Sequence, residues 1–364
     1  MSESEKIKKG KVLVAMSGGV DSSVAAALLV EQGYVVIGAT MQVWDYSTCD
    51  ITEGNGTCCS SIDVDDARSV ADKLNIPFYV LNCEAKFKAS VIDPFINSYL
   101  SGATPLPCVD CNTYLKFDHL IRKMKELDCD YLATGHYAQT KIINGKAVIE
   151  TSTDDWKDQT YFLFTIDPEI IPKLLFPIGH LKKPQVRAIA EEKKLVVAKK
   201  KDSTGICFVG NKGYSEFIKE HIDPKILQLK KGYFKRYPTG EVMSVHDGIH
   251  LYTIGQSKGL GMTYHEKLFV LKIDPTDNTV WLGEEKYLLK NEVDVVKPHL
   301  LMDLSENENY QVKIRYQHKG QEAKIEKNKG GLKIRFKDPQ RAVTPGQAAV
   351  IYCNNVLVGG GWIV

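Results

Sequence analysis

Two short stretches of this sequence hold residue types that could do chemistry. Ser17-Gly-Gly-Val-Asp21-Ser22-Ser23 joins a β-branched apolar run, 11–16, to an apolar segment from Val20 to Glu31. Paired glycines let a backbone approach an anion closely, and a helix N-terminus aims unpaired N–H groups and a positive dipole at it. Ser17, Ser22 and Ser23 add hydroxyl donors. The loop lacks the lysine of GxxxxGK[ST], so it is a phosphate cradle of another kind. The bland alternative is a tight turn capped by Ser and Asp, which the position straight after the first buried strand disfavours. The second stretch is Cys108-Val-Asp-Cys111, the only CxxC in the chain, with Cys207 far downstream in STGICF. Deprotonated sulfur is the reactive form, and two separated cysteines allow one to carry a transferable sulfur while the other resolves the intermediate. Asn112 onward reads as a helix, which puts Cys111 just before a helix N-terminus, where the dipole lowers its pKa. Taken singly, each cysteine also reads as a buried thiol, the preferred reading for Cys207 without its surrounding motif.

The elements that must position these residues alternate. Residues 11–16, 34–43, 78–82 and 131–134 read as short, nearly all-apolar strands. Between them lie helical spacings: Val20 to Glu31, then Val64, Ala67, Val70, Ala71 and Leu74, then Phe117, Leu120, Ile121, Met124 and Leu127. Such alternation predicts an α/β fold, a parallel sheet covered on both faces, with ligands beyond the carboxyl ends of its strands. After about residue 205 the texture changes to Gly-rich, short β-like runs. From 268 onward LFVLKI, NTVWLG, YQVKIRY, GLKIRF, AAVIYC and VLVGGGWIV predict an antiparallel sheet or small barrel.

Composition narrows the function classes. The 364 residues suit two or three domains, and 43% hydrophobic with 25% charged residues excludes wholesale disorder or a disulfide miniprotein. The longest plain apolar run, Val24 to Val30, is too short to span a bilayer, and MSESEKIKKGK has no apolar core of a signal peptide. Nine cysteines, an odd number, then suggest reduced thiols, and the expected address is the cytoplasm with no membrane partner. A net charge of +2 does not announce a nucleic-acid binder. Residues 311–341 do hold ten Lys/Arg against three acids. That is either a solvated strand face or a phosphate-contacting patch, and alone it favours the former.

SGGVDSS resembles the PP-loop of ATP pyrophosphatases, which cleave ATP between the α and β phosphates and adenylate an acceptor. Further segments single out one member of that class. MQVW (41–44), TPLPCVDCN (104–112), ATGHYA (133–138), DQTYFL (158–163), FPIGHLKKPQVR (176–187), STGICFVG (203–210), YTIGQSKGLG (252–261) and TPGQAAVIY (344–352) closely resemble the bacterial tRNA-specific 2-thiouridylase family, in order over almost the whole chain. The resemblance implies a doubly wound PP-loop domain at 1–205, a small central tRNA-binding domain at 206–284 and a C-terminal β-barrel at 285–364. Part of 173–195 could instead belong to the central domain.

It further implies ATP and Mg²⁺ as cosubstrates, with Ala15, Met16, Ser17, Gly18, Gly19, Val20, Asp21, Ser22, Met41 and Gly135 lining the ATP site. Asp21 would lie near Mg²⁺. Cys111 is implied as nucleophile and Cys207 as persulfide carrier, with a Cys111–Cys207 disulfide after transfer. The tRNA-contacting positions are His136, Lys157, Asp158, Gln159 and Gln347, with Leu106, Pro107, Cys108, Arg315 and Tyr316 around the target base. The implied partners are tRNA and a sulfur donor or relay protein fed by a cysteine desulfurase. Two departures stand out. Cys108 occupies a position where some members have Asp, and Ser257 stands where Arg is expected. Three thiolates, Cys108, Cys111 and Cys207, would leave one iron of a [4Fe–4S] cluster open to hold a sulfide; the metal-free persulfide route is the preferred reading. The rivals are a PP-loop ligase or amide synthetase acting on a small molecule, which needs neither Cys111 nor Cys207, and a non-catalytic RNA- or metal-binding module, which binds ATP without releasing pyrophosphate.

Overall fold

The computed structural model describes residues 9–43, 61–202, 205–210, 213–262, 266–305 and 308–364. Trp44, Cys49, Cys58 and Cys59 lie outside them. The chain forms two compact units, one of residues 1–91, 108–211 and 355–357, the other of 92–107, 212–354 and 358–364. The three-part division expected above stands as a proposal beside this two-unit arrangement.

The first unit is built on a parallel sheet. Strands β1 (Lys11–Ala15), β2 (Val35–Gln42), β3 (Phe78–Asn82) and β4 (Tyr131–Thr134) take the order β3-β2-β1-β4, and Leu174–Leu175 adds the far edge beside β4. β1 pairs in parallel with β2 and β4, Leu13 lying between Ile37 and Leu132. A strand paired on both sides and covered on both faces has no polar face, which is why Val12, Leu13 and Val14 are all fully buried. Helix α1 (Val20–Glu31) follows β1 and is apolar nearly all round. It buries Val24, Ala25, Ala26 and Leu29 in a core shared with Val12, Val14, Val36, Val186 and Ala190. Helix α2 (Ser61–Lys73) contributes Ala67, Val70 and Ala71 to that core, and the helix Lys183–Glu192 lies against α1. A hairpin, Ala138–Ile143 with Lys146–Thr151, extends this unit after β4.

The second unit holds two antiparallel-rich sheets. Strands Phe269–Asp274, Thr279–Gly283, Gly232–Arg236 and Val242–His246 form one, in that order, around Phe234, Ile249, Val270 and Val280. The other is a barrel of six strands: Leu289–Leu300, Gly331–Arg341, Gln321–Asn328, Tyr310–Lys313, Ala348–Cys353 and Val356–Ile363. Pairing of the first strand with the last, Val295 opposite Ile363, closes it. Its interior alternates along each strand, with Val293, Val295, Ile325, Ile334, Phe336 and Ile351 inward. The α/β fold with a PP-loop parallel sheet, a small central sheet and a C-terminal barrel is thus the architecture of the molecule.

Candidate functional site

The nucleotide loop leaves the carboxyl end of β1. Gly18 has φ +69°, a region L side chains rarely adopt, and a Cβ there would lie 2.1 Å from the Asp63 carbonyl oxygen. Ser22 Oγ accepts from Ser17 N at 3.1 Å and donates to Gly19 O at 3.2 Å. Ser23, fully buried, donates to Gly19 O at 2.8 Å, so its hydroxyl serves the turn. Gly19 is the N-cap of α1 and supplies no side-chain acceptor, which leaves the first-turn N–H groups to face the loop. Gly135 follows β4 and closes the other wall: a Cβ there would meet Ser22 N at 2.6 Å and Asp21 C at 2.8 Å. Met16 is buried and Met41, near the carboxyl end of β2, nearly so. Ala15 to Ser22, Met41 and Gly135 therefore share the carboxyl-end edge of one parallel sheet.

Behind the loop runs a charge network that the sequence motifs only partly reveal. Lys183 Nζ donates to both carboxylate oxygens of Asp21, each at 2.8 Å, and Tyr137 Oη donates to Oδ1 at 3.0 Å. The same ammonium lies 2.9 Å from Asp202, which also receives Lys157 at 2.7 Å and Arg187 at 2.5 Å. Burial pushes the Asp202 carboxyl up, but the hydrogen bonds from Lys157 and Lys183 outweigh it and hold the group at about 2. Lys183 is only 11% exposed at its side chain. Lys200 braces the loop from below, donating to Gly18 O at 3.0 Å and pairing with Asp63 and Asp66. Sequence reading missed Lys183, Tyr137, Asp202 and Lys200. Lys183 sits in the FPIGHLKKPQVR segment, the one signal that pointed toward it.

The Lys157-Asp158-Gln159 segment divides. Lys157 reaches Asp202, as above, whereas Asp158 is buried and accepts from Thr160 Oγ1 at 2.9 Å and Ser152 N at 3.2 Å. Gln159 Oε1 accepts from Tyr137 N at 2.9 Å, which positions the Asp21 partner. His136 is buried between Thr134 Oγ1, 2.8 Å from Nδ1, and Lys116, 3.4 Å from Nε2. Burial, then the Lys116 charge, pull its pKa well below 6.5, so the ring is neutral at neutral pH.

The cysteines differ from expectation in one respect. The helix does not begin at Asn112. It begins at Pro107 with Pro107–Asp110, runs through a π-type stretch Cys111–His119 and continues as Leu120–Glu126. Proline suits the first helical position because its missing N–H is an orphan there in any case. Exposed Cys108 therefore holds the first turn and Cys111 the second, so the dipole argument applies to Cys108 rather than Cys111. Burial pushes the carboxyl of Asp110, between them, up to about 6. None of the six described cysteines is in a disulfide. Sequence reading also passed over Cys83, which is 3% exposed. Burial raises its pKa to about 11, Lys86 opposes this and the neighbouring Cys111 adds to it. Cys83 precedes the short helix Glu84–Phe87, and Phe87 packs edge-on against Phe208, the neighbour of Cys207, at 5.6 Å. The segments bearing Cys111 and Cys207 thus flank one small element. Among the described residues, no three His, Cys, Asp or Glu side chains gather as a metal would require. The proposed cluster ligands Cys108, Cys111 and Cys207 do not fit that group, and no step is derived through it.

In the second unit Gln347 Nε2 donates to Thr104 O at 3.1 Å and Pro105 O at 3.3 Å, pinning the chain just before Leu106 and Pro107. Arg315 is exposed and its guanidinium donates to Arg341 O at 3.1 Å. Part of the basic stretch 311–341 is paired with carboxylates. Lys333 and Arg335 pair with Glu292 at 3.3 and 2.7 Å, Arg335 also pairs with Glu326, and Lys337 reaches Glu322 at 3.1 Å. Most of it is a solvated strand face, with Arg315 outside the ladder.

Comparison with known proteins follows the same segments. A family model described as the tRNA methyl transferase HUP domain matches residues 10–211. Models for a PRC-barrel domain and an aminomethyltransferase β-barrel domain match 215–284 and 290–363. A tRNA-specific 2-thiouridylase MnmA of Clostridioides difficile is 44% identical, covering 97% of this chain and 98% of its own. Its namesake from Acetivibrio thermocellus is 45% identical, covering 98% of this chain and 100% of its own. Among solved structures, the NMN synthetase of Francisella tularensis is 18% identical over 54% of this chain and 67% of its own, with a TM-score of 0.33. No described helix is long and apolar enough to cross a membrane. From matches at this identity, through nearly the whole length and in order, the chain belongs to the tRNA-specific 2-thiouridylase family.

Proposed function

We propose that this protein replaces the C2 oxygen of a wobble uridine in tRNA with sulfur, using ATP. The C2 carbonyl is a poor electrophile. Attack of its oxygen on the α phosphorus of ATP expels pyrophosphate and makes that oxygen part of a leaving group, AMP. The cradle from Ser17 to Ser22 binds the departing phosphates through first-turn N–H groups. Lys183 supplies a nearly buried ammonium beside them, held by Asp21 and Asp202. Asp21 is the cradle carboxylate suited to the Mg²⁺ that accompanies ATP.

Sulfur then attacks C2. The terminal sulfur of a Cys207 persulfide bonds to C2 as AMP leaves, and the Cys111 thiolate attacks Cys207 Sγ. That breaks the S–S bond, leaves the sulfur on uridine and makes a Cys111–Cys207 disulfide for a later reductant. The observation that carries this reading is the presence, in one compact unit, of the phosphate cradle and the two thiol-bearing segments either side of Glu84–Phe87. The relatives' names supply the substrate class. The residues assigned to the tRNA are Cys108, His136, Lys157, Asp158 and Gln159 in the first unit and Leu106, Pro107, Arg315, Tyr316 and Gln347 in the second, and a desulfurase-derived donor recharges Cys207 in the cytoplasm. Buried Asp158 and half-buried Gln159 contribute by shaping the loop that carries Lys157, through Ser152 N and Tyr137 N, and buried His136 by its contacts to Thr134 and Lys116. Tyr316 beside Arg315 suits a flipped-out base.

Incubation of Cys111→Ala and Cys207→Ala variants with ATP, unmodified tRNA and a sulfur source tests the reading. Pyrophosphate should still be released while thiolated uridine falls at least a hundredfold. Full thiolation by both variants would overturn the cysteine roles, whereas undiminished pyrophosphate release with no thiolated uridine even from the wild type would favour a small-molecule ligase instead.

A further inference from the structure

Trp156 is 86% exposed, the most open of the large apolar side chains described. Leaving an indole in water forgoes the favourable transfer of a large apolar surface, so folding does not account for it. Its backbone, by contrast, is tightly held. Trp156 N and Lys157 N both donate to Asp154 Oδ1, at 3.2 and 3.3 Å. Asp154 Oδ2 accepts from Lys183 N at 2.8 Å, and Thr153 N donates to Gly179 O at 2.9 Å. The ring is therefore presented on a fixed loop, one residue from Lys157 and joined through Asp154 to the start of the lysine-bearing helix at Lys183. A flat apolar ring on a held backbone, beside Lys157 whose ammonium pairs with Asp202, suits a flat partner, and the RNA of the proposed reaction supplies one. Unpaired bases stack on such platforms whatever their identity.

We propose that Trp156 is a stacking platform for an unpaired base of the tRNA, a role that rests on the function proposed above. Its contribution is affinity and placement of the RNA rather than chemistry at uridine. Because the ring is exposed and its backbone bonds do not depend on it, substitution leaves the fold intact.

Affinity of the full chain for an unmodified tRNA, measured by fluorescence anisotropy at two salt concentrations, tests this in wild type, Trp156→Ala and Trp156→Phe. Alanine should weaken binding about five- to a hundredfold, the usual worth of one stacked base, and phenylalanine should restore most of it. The salt slope should not change, since a neutral ring displaces no counterions. ATP affinity should also stay the same, and a blunt RNA duplex without unpaired bases should not distinguish the variants. Equal tRNA affinity for Trp156→Ala and wild type would overturn the proposal. So would equal losses in the Ala and Phe variants, or a loss confined to ATP, which would assign the ring to adenine. A wild-type chain that binds no tRNA would end both this proposal and the function it rests on. A thiolating wild type with an unaffected alanine variant would end this proposal alone.

Discussion

Asp21 and Asp202 show how far a residue's role depends on partners that are distant in sequence. Lys183, 162 residues from Asp21, bridges the two carboxylates. No spacing rule announces such a contact, so Asp21 was legible from its loop while its partners were not. Asp21→Ala should abolish pyrophosphate release and leave tRNA affinity within about twofold, because the residues proposed to contact RNA lie on other elements; release at the wild-type rate would refute the loop assignment. Asp110 offers a stability test. Burial raises its folded pKa to about 6, above its unfolded value. Its contribution is therefore present at low pH and lost as pH rises through about 6. Discounted for its partial exposure, Asp110→Asn should stabilise the protein by about 1–2 kcal/mol near pH 8 and by almost nothing below about pH 4. Denaturant titrations at the two pH values decide; equal gains at both would rule out an ionised carboxyl as the cause.

At the scale of elements, apolar strands were the easiest to read. Residues 78–82 and 131–134 and the helix from Val20 to Glu31 have the bounds their periodicity predicts. The strands that escaped notice are the half-exposed ones. Leu289–Leu300 and Gln321–Asn328 show water a row of charges, so their apolar residues are too sparse to announce a strand. The hairpin Ala138–Thr151 hid for a similar reason, with Lys141, Ile142 and Ile143 facing outward or half out. The helix start at Pro107 has a sequence signal, proline at the first helical position, but the π-type stretch from Cys111 breaks the regular helical spacing that would have extended the helix back to it. Close approach of β4 to α1 gives the element-scale prediction. Gly135→Ala puts a Cβ 2.6 Å from Ser22 N, against backbone that cannot swing aside. ATP affinity should fall at least tenfold, with about 1–3 kcal/mol of stability lost to overpacking. Calorimetry showing ATP affinity within twofold of wild type would contradict the described wall of the cradle.

Over the whole molecule, a net charge of +2 says little about a nucleic-acid partner. Lys333, Arg335 and Lys337 pair with Glu292, Glu326 and Glu322, and over the chain 47 basic residues meet 45 acidic ones, which is why composition alone did not identify a nucleic-acid partner. Arg315→Ala with Tyr316→Ala should reduce thiolation at least tenfold with ATP affinity unchanged, and lower the salt slope of tRNA binding by about 1 if the guanidinium meets a phosphate. Arg335→Ala, within the ladder, should leave that slope as it was. The reverse pattern would exchange the roles of the two faces. The central claim is tested most directly by mass spectrometry of the wobble nucleoside, after incubating unmodified tRNA with the protein, ATP, Mg²⁺ and a persulfide source. The account predicts 2-thiouridine at that position, one pyrophosphate released per sulfur transferred, and none of either without ATP. Uridine left unmodified with every persulfide source, and no pyrophosphate formed, would contradict it.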